Sequence, residues 1–575
     1  MPGGLLQLVG VGAQNELVNG NPSMTHFRCV YRRHTNFAME HIRMTFGGSN
    51  LQFNQTGMRT ISCRIDRYAQ MLHDTYLVLT LPDIYSPLVY LGAGVAPPTG
   101  YDPNSSAIGY EFQWIKNIGY NLIDHVDITM NGVVIQSLRG EWLKFYSYLM
   151  HDADKRIVVD TMTGNTTAMY DPANAFDRMG QYPHSVAPNT IPPAVPMTTI
   201  PEPSIRAQQL TIPLHFWFCE NPGLALPLVS MQNSEVFINV TYRPLNDLYT
   251  IVDVDPTSPT YGTRIAPSNN TNFIGRFLSP PLATGAQSNP TLTSFFPDPY
   301  LEGNFIYLTE MEMGQLASAD QTYLIKNVNY VSAEGQYGPN SDLLLPMFNL
   351  VTRIVFVAQR SDKLLVNDRD NYTNWMNPNR APFTPISTDI QNSLYSSGQL
   401  QITSAFPRDS MTDSVLLLDG KERFTTKPTG FFSLLQMYKH ATGAPPMLPG
   451  VYMYSFALDH DSYQPSGALN GSMFNKVVLR MTLLQPLPAM NPTTGVPTAT
   501  QSIVCILRST AFSPNPTVIP AGNVGLYTPD QLLTVVQTAG GDNVIFTFTY
   551  HIAAYVESIN FLRVVSGLAN LVFAS

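Results

Sequence analysis

Residues 210–223 read LTIPLHFWFCENPG, and how they are read decides the character of the whole chain. His215, Cys219 and Glu220 are residue types that ligate metals or act as nucleophiles, yet the apolar residues around them alternate. Leu210, Ile212, Leu214, Phe216 and Phe218 fall on one face of a strand, with Thr211, Pro213, His215, Trp217 and Cys219 on the other. His215 and Cys219 share that second face, but four residues of strand hold their backbones about 13 Å apart. Zinc ligands each sit about 2.0–2.3 Å from the ion, so a regular strand keeps these two from sharing one. Glu220 points away from Cys219 or opens the turn Asn221-Pro222-Gly223. The stretch is read as framework, a half-buried strand over 210–219 that runs into a turn.

The same grammar recurs on either side of it. Tyr76–Leu81, Val126–Met130, Glu235–Tyr242, Arg353–Ala358, Val451–Leu458, Val477–Leu484 and Val544–Tyr550 are rich in β-branched and aromatic residues and mostly bounded by Gly, Pro, Asn or Asp. Val544–Tyr550 alternates aromatics with threonines, the pattern of a half-buried antiparallel strand. Helical signals are short: GEWLKFYSYL from Gly140 and GFFSLLQMY from Gly430. Each follows an apolar strand, a tight-hairpin Asn131-Gly132 or Asp419-Gly420, and a short connecting segment. The same order, about 290 residues apart, predicts a duplicated unit. Prolines crowd 181–204, inside a surface excursion over about 150–208, and again 253–300, which separates the two units.

Composition agrees with strands and limits the partners. Only 13% of the 575 residues are charged, about half the usual share, while Gly 38 and Pro 46 supply turns. Long helices would bring more Glu, Lys and Arg. The formal net charge is −9, so direct wrapping of nucleic acid is not expected, although a local basic patch such as Tyr31-Arg32-Arg33-His34 is present. Cys29, Cys63, Cys219 and Cys505 form no CxxC pair and point to a reducing compartment. The sequons at Asn165 and Asn371 are chance matches in that setting. The first residues lack a signal peptide's basic region, and no run of 18 apolar residues occurs, so a soluble protein is expected.

No chemistry-bearing motif emerges. Phosphate loops, dinucleotide fingerprints, zincin helices and nucleophile elbows are all missing from the sequence. His34 and His41 lack carboxylates or a third imidazole nearby, and Asp459-His460-Asp461 suits a polar turn. Asp253/Asp255 and Asp368/Asp370 sit in Asn-, Pro- and Asp-rich loops, where turn formation explains them. Catalytic, cofactor-binding and metal-ligating residues are all expected to be none, with no cofactor.

The order of segments is more telling than any one of them. GGLLQLVGVGAQNELVNGNPSMTHFRCVYRRHTNFAMEHI (3–42), WIKNIGYNLIDHVDITMNGVVIQSLRGEWL (114–143) and LTIPLHFWFCENPGLALPLVSMQNSEVFINVTYRPLNDL (210–248) are followed by FIYLTEME (305–312) and LVTRIVFVAQ (350–359). GVYMYSFALDHDSYQPSGALNGS (450–472) and NFLRVVSGLANLVFAS (560–575) complete the series. Over nearly its whole length the chain resembles the major capsid proteins of nucleocytoplasmic large DNA viruses. That resemblance implies an all-β fold of two consecutive eight-stranded antiparallel jelly rolls with short helices in long loops. It implies an N-terminal arm over 1–24, a first jelly roll over 25–252, a linker over 253–300 and a second jelly roll over 301–575. The implied function is structural and not enzymatic, with homotrimeric pseudo-hexagonal capsomers tiling an icosahedral shell. Implied partners are the chain itself, neighbouring capsomers, minor capsid and penton proteins, and an internal viral membrane at the capsomer base, with no direct nucleic acid. The location is the virion, after assembly in the infected cell, in the cytoplasm. Rival readings are a minor capsid or penton paralogue, a jelly-roll glycan-binding protein and a jelly-roll glycosidase.

Overall fold

The computed structural model describes residues 2–10, 12–22, 31, 33–48, 51–88, 110–186, 202–253, 264–265, 274–280, 294–336, 340–365, 367–375, 408–443, 448–459, 462, 464–484, 487–490, 497–506, 544–546 and 549–573. Two short helices, α1 (Pro2–Val9) and α2 (Ala13–Asn19), precede the sheets. The first unit is built from β1 (Phe37–Thr45), β2 (Arg59–Arg64), β3 (Met71–Leu81), β4 (Ile123–Met130) and β5 (Val133–Arg139). Helices α3 (Gly140–Met150) and α4 (Ala153–Met162) come next. Then follow β6 (Gln208–Pro213), the helical turn α5 (Trp217–Glu220), β7 (Val236–Tyr242) and β8 (Tyr300–Leu308). Hydrogen bonding orders these strands as β1-β8-β3-β6 in one sheet and β2-β7-β4-β5 in the other.

After helix α6 (Glu310–Ser318) the pattern repeats. Strands β9 (Gln321–Gln336), β10 (Asn340–Leu345), β11 (Leu350–Arg360), β12 (Met411–Leu418) and β13 (Lys421–Glu422) lead to a helix over 429–440. That helix contains a π-turn at Phe431–Leu435 and ends in α7 (Gln436–His440). Strands β14 (Val451–Ser455), β15 (Val477–Leu483) and β16 (Tyr550–Val565) follow. The sheets run β9-β16-β11-β14 and β10-β15-β12-β13, so every strand of the second unit takes the place of the strand eight before it. The duplication read from the two hairpins extends to the whole topology. Both hairpins turn through left-handed pairs, Asn131 (φ 51°) with Gly132 (φ 80°) and Asp419 (φ 48°) with Gly420 (φ 79°), which match strand twist.

Three differences from the sequence reading have physical causes. The strand expected over 210–219 stops at Pro213, which pairs with Tyr76 and supplies no N–H; one further bond, from the Leu214 N–H to the Thr75 carbonyl, follows before the chain turns away. The chain then turns into α5; Leu210, Ile212, Leu214, Phe216 and Phe218 are all buried, but so is Trp217 from the expected opposite face, because the alternation does not continue through the helical turn. Second, β8 lies across the boundary expected at 301: it pairs with β1 and β3 and so belongs to the first unit's sheet. Third, the strand expected over Val544–Tyr550 is broken at Thr549, which belongs to no strand, between a strand over Val544–Phe546 and β16 from Tyr550; 547–548 lie outside the described residues. The excursion over 150–208 is also partly helical, through α4 and the turns Thr167–Tyr170 and Pro172–Asp177, while 187–201 lie outside the described residues.

Two cores result. Ile354, Phe356 and Ala358 of β11 point with Ile552, Ala554 and Val556 of β16 into the second unit's own core. Their neighbours Val355, Val357, Ala553 and Tyr555 face the opposite way and join the large core of the first unit. β11 and β16 are thus buried on both faces, and one apolar cluster runs through both units.

Candidate functional site

The side chains with the most strongly engineered chemistry lie where α3 meets the outer face of the second unit's sheet. Gly140 opens this helix in a space that admits nothing larger, since a Cβ there would lie 2.2 Å from the carbonyl oxygens of both Ile123 and Tyr120. The helix is thereby pressed against β4, and its next turn presents Glu141, Trp142, Lys144 and Phe145 to the second unit. Trp142 packs on Tyr555 at 5.6 Å between ring centroids, and Phe145 meets Tyr555 and Tyr372 edge-on.

A charged network threads this aromatic layer. Lys144 Nζ, fully buried, donates to Asp370 Oδ1 at 2.6 Å, to the Tyr372 hydroxyl at 2.7 Å and to Asn121 Oδ1 at 3.4 Å. The two oxygens of Glu141 accept from the hydroxyls of Tyr372 and Tyr555. Burial pushes the Glu141 carboxyl up, but Lys144 and the two hydroxyls outweigh it and hold the group below its ordinary value. Burial and the same carboxylate push Tyr372 and Tyr555 well above theirs. Asn121 Nδ2 donates to Asp370 Oδ1 at 2.8 Å, and Asn117 Nδ2 also donates to this carboxylate. A second pair, Arg353–Glu557 at 2.7 Å, lies on the sheet below, with the Arg353 guanidinium 5.4 Å from the Trp142 ring. Toward the edge, Arg369 pairs with Asp247 at 2.7 Å, Asn367 Nδ2 donates to the Tyr249 carbonyl at 3.0 Å, and Gln136 Nε2 donates to the Lys326 carbonyl at 2.8 Å. The arrangement is a lock between halves: paired buried charges tolerate no slip of one surface on the other.

The residues singled out by sequence are scattered among structural duties. His215 stacks on Tyr146 of α3 at 4.3 Å and lies 5.5 Å from the His151 ring; its Nε2 is shielded from solvent, and burial lowers both imidazoles, His151 to about 4. Cys219 Sγ donates to the His73 carbonyl at 3.4 Å, and burial pushes the thiol up to about 12, the opposite of an activated nucleophile. Glu220 lies 4.0 Å from Lys326, across the junction. Trp217 donates its backbone N–H to Gln136 Oε1. His34 packs on Phe37, and His41 lies 3.7 Å from Glu302. Asp459 Oδ1 accepts from the Ser462 N–H in a turn, whereas His460, Asp461, Asp255 and Cys29 lie outside the described residues. Asp253 ends a strand paired with Tyr110. Asp368 is a turn residue that accepts from Asn371 Nδ2, but its neighbour Asp370 is half of the buried lock, a role that loop composition did not signal. Asn371 of the second sequon is fully buried, and Asn165 of the first donates to Asp160 Oδ1. Among the described residues no cluster of three or more His, Cys, Asp or Glu side chains is placed to hold a metal ion.

Comparison with known proteins gives this architecture its place. Residues 25–275 match the family described as major capsid protein N-terminus, and residues 312–513 match large eukaryotic DNA virus major capsid protein. The major capsid protein of Phaeocystis pouchetii virus is 28% identical over 541 residues, covering 84% of this chain and 93% of its own. That of Paramecium bursaria Chlorella virus 1 is 25% identical over 548 residues, covering 92% and 99%. The fold is shared with the crystal structure of the latter virus's VP54 (TM-score 0.58, 19% identity, 96% of this chain and 100% of that one). It is shared too with the Faustovirus major capsid protein (TM-score 0.57, 12% identity, 98% and 96%). Two topologically equivalent jelly rolls locked through a buried junction, matched in order by both family profiles, establish that the chain belongs to the major capsid proteins of large eukaryotic DNA viruses, structural proteins of the virion shell.

Proposed function

We propose that three copies of this chain associate into a pseudo-hexagonal capsomer, and that this assembly is its whole activity, without catalysis. The observation that carries the reading is the equivalence of β1–β8 and β9–β16. Two like units per chain give six like units in a trimer, so a threefold object presents a nearly sixfold outline for tiling. We take the units as 37–308 and 321–571, joined through α6. The reactive residue types support a non-catalytic role, since each described one packs, stacks, pairs with an opposite charge or closes a turn. The exposed leucines Leu5, Leu6, Leu8 and Leu17 of α1 and α2 support an arm that leaves the body to meet minor capsid proteins or an internal membrane. Assembly would follow synthesis in the host cytoplasm.

Light scattering on the purified protein tests this directly: the expected mass is three times 63.7 kDa. A stable monomer refutes it. Electron microscopy of the particles separates the reading from a penton role, since rings of five copies would overturn the threefold one.

A further inference from the structure

The duplication carries a second consequence, which rests on the trimer proposed above. Aligning Gly140 with Gly430 sets Lys144 opposite Leu434 and Phe145 opposite Leu435. In the first unit these positions are 0% and 1% exposed, because the outer face of β9-β16-β11-β14 covers them. In the second unit no described residue does so: Leu434 is 60% and Leu435 50% exposed, and Tyr438 one turn on stands in solvent. Where the first helix carries a buried cation, the second carries a leucine, so at that position its missing partner offers apolar side chains in place of the Asp370 carboxylate.

The same topology names that face. The equivalent of the covering sheet is β1-β8-β3-β6, and its outer surface is exposed along β1, whereas Val78 of β3 is already covered. Ile42 and Met44 of β1 turn toward the core, leaving Phe37, Met39, His41 and Arg43 on the other side, with Phe37 and Met39 largely exposed. Register places Arg43 beside Glu302 and Tyr76, the next residues on this surface. Among the described residues, one chain therefore uses one helix and one sheet face on itself and leaves the equivalent helix and the β1 side of the equivalent sheet face unmatched. We infer that the 429–440 helix docks, through Leu434, Leu435 and Tyr438, on the outer face of β1-β8-β3 of a second copy, repeating between chains the contact that α3 makes within one. Such a contact is heterologous, joining two different patches, and it closes into a ring once each copy has given its helix and received another's.

The test uses the full-length chain. Leu434→Glu with Leu435→Glu puts two carboxylates on solvent-exposed positions, so the monomer keeps its fold. Association by sedimentation should weaken at least about 30-fold, as for a central contact residue. Independently, a photoreactive benzophenone amino acid in place of Leu435 should, on irradiation, give a band at twice the chain mass. Its cross-linked peptides should map to 37–45, 71–81 or 300–308. If the unmodified chain is trimeric but the double variant associates equally well, or the cross-links map elsewhere, the docking site is overturned and the trimer stands. If the unmodified chain is monomeric, the trimer reading falls and the docking site with it.

Discussion

Replacing Lys144 by methionine keeps the length and packing of the side chain and removes only the ammonium. In the native chain that ammonium lies 2.6 Å from Asp370 Oδ1 and 2.7 Å from the Tyr372 hydroxyl, with 1% of the lysine side chain and 6% of the aspartate exposed. Deleting one member of a buried pair typically costs about 3–5 kcal/mol, because the remaining charge is stranded. Asp370 keeps amide donors from Asn117 and Asn121, which argues for the lower end, about 3 kcal/mol. Glu141 loses its nearest cation as well, so the loss should not fall below that. Thermal unfolding reads the effect: in a unit of this size about 1 kcal/mol moves Tm by roughly 2–4 °C, so Lys144→Met should lower it by about 6–12 °C at pH 7. Adding Asp370→Asn removes the stranded charge, and the double variant should recover more than about 1 kcal/mol relative to the summed single effects. A drop below about 2 °C for Lys144→Met, or simple additivity in the double variant, would refute the claim that this pair locks the two halves.

Two further outcomes follow from the same geometry. Gly140→Ala places a Cβ 2.2 Å from two carbonyl oxygens, so α3 must lift from β4; the expected result is a loss above about 3 kcal/mol and poor soluble yield, and native-like melting of this variant would contradict it. Asp409 is buried beside Tyr452, and burial raises its carboxyl from 3.8 to about 6, so the folded chain holds a proton that the unfolded chain has released between these values. Its contribution therefore favours the fold below about pH 4 and is lost as pH rises through 6. Asp409→Asn should stabilise the protein at pH 7 by about 1–2 kcal/mol and flatten its stability between pH 4 and 6, and a denaturant series at those pH values decides.

Local signals on single strands carried the all-β class and the duplication, because tight hairpins and alternating faces leave a mark within a few residues. β8 escaped because nothing in Tyr300–Leu308 tells which of two similar sheets will take it; its partners at Phe37–Thr45 lie more than 250 residues back. β16 escaped for a different reason. HIAAYVESINFLRVV is buried on both faces, so it shows no period of two. The lock at the junction was invisible for a third reason: Lys144 and Asp370 look like a helix surface lysine and a turn aspartate until the fold joins them. For LTIPLHFWFCENPG, alternation found the five core residues, but the strand ends at Pro213 and the helical turn after it buries Trp217 of the other expected face as well.

The hydroxyl of Tyr555 reaches Glu141 across 414 positions of sequence. During synthesis the first half emerges with a carboxylate and an ammonium on a helix whose covering sheet has not yet been made, and β16, which carries Tyr555, is the last of its four main strands to arrive. A nascent or truncated chain therefore carries an open, partly charged wound on its flank, attractive to chaperones and poor at tight packing. Only when Tyr555 arrives does that flank become dry. The lock thus acts as an end-of-manufacture seal: only a chain made through Tyr555 can close it.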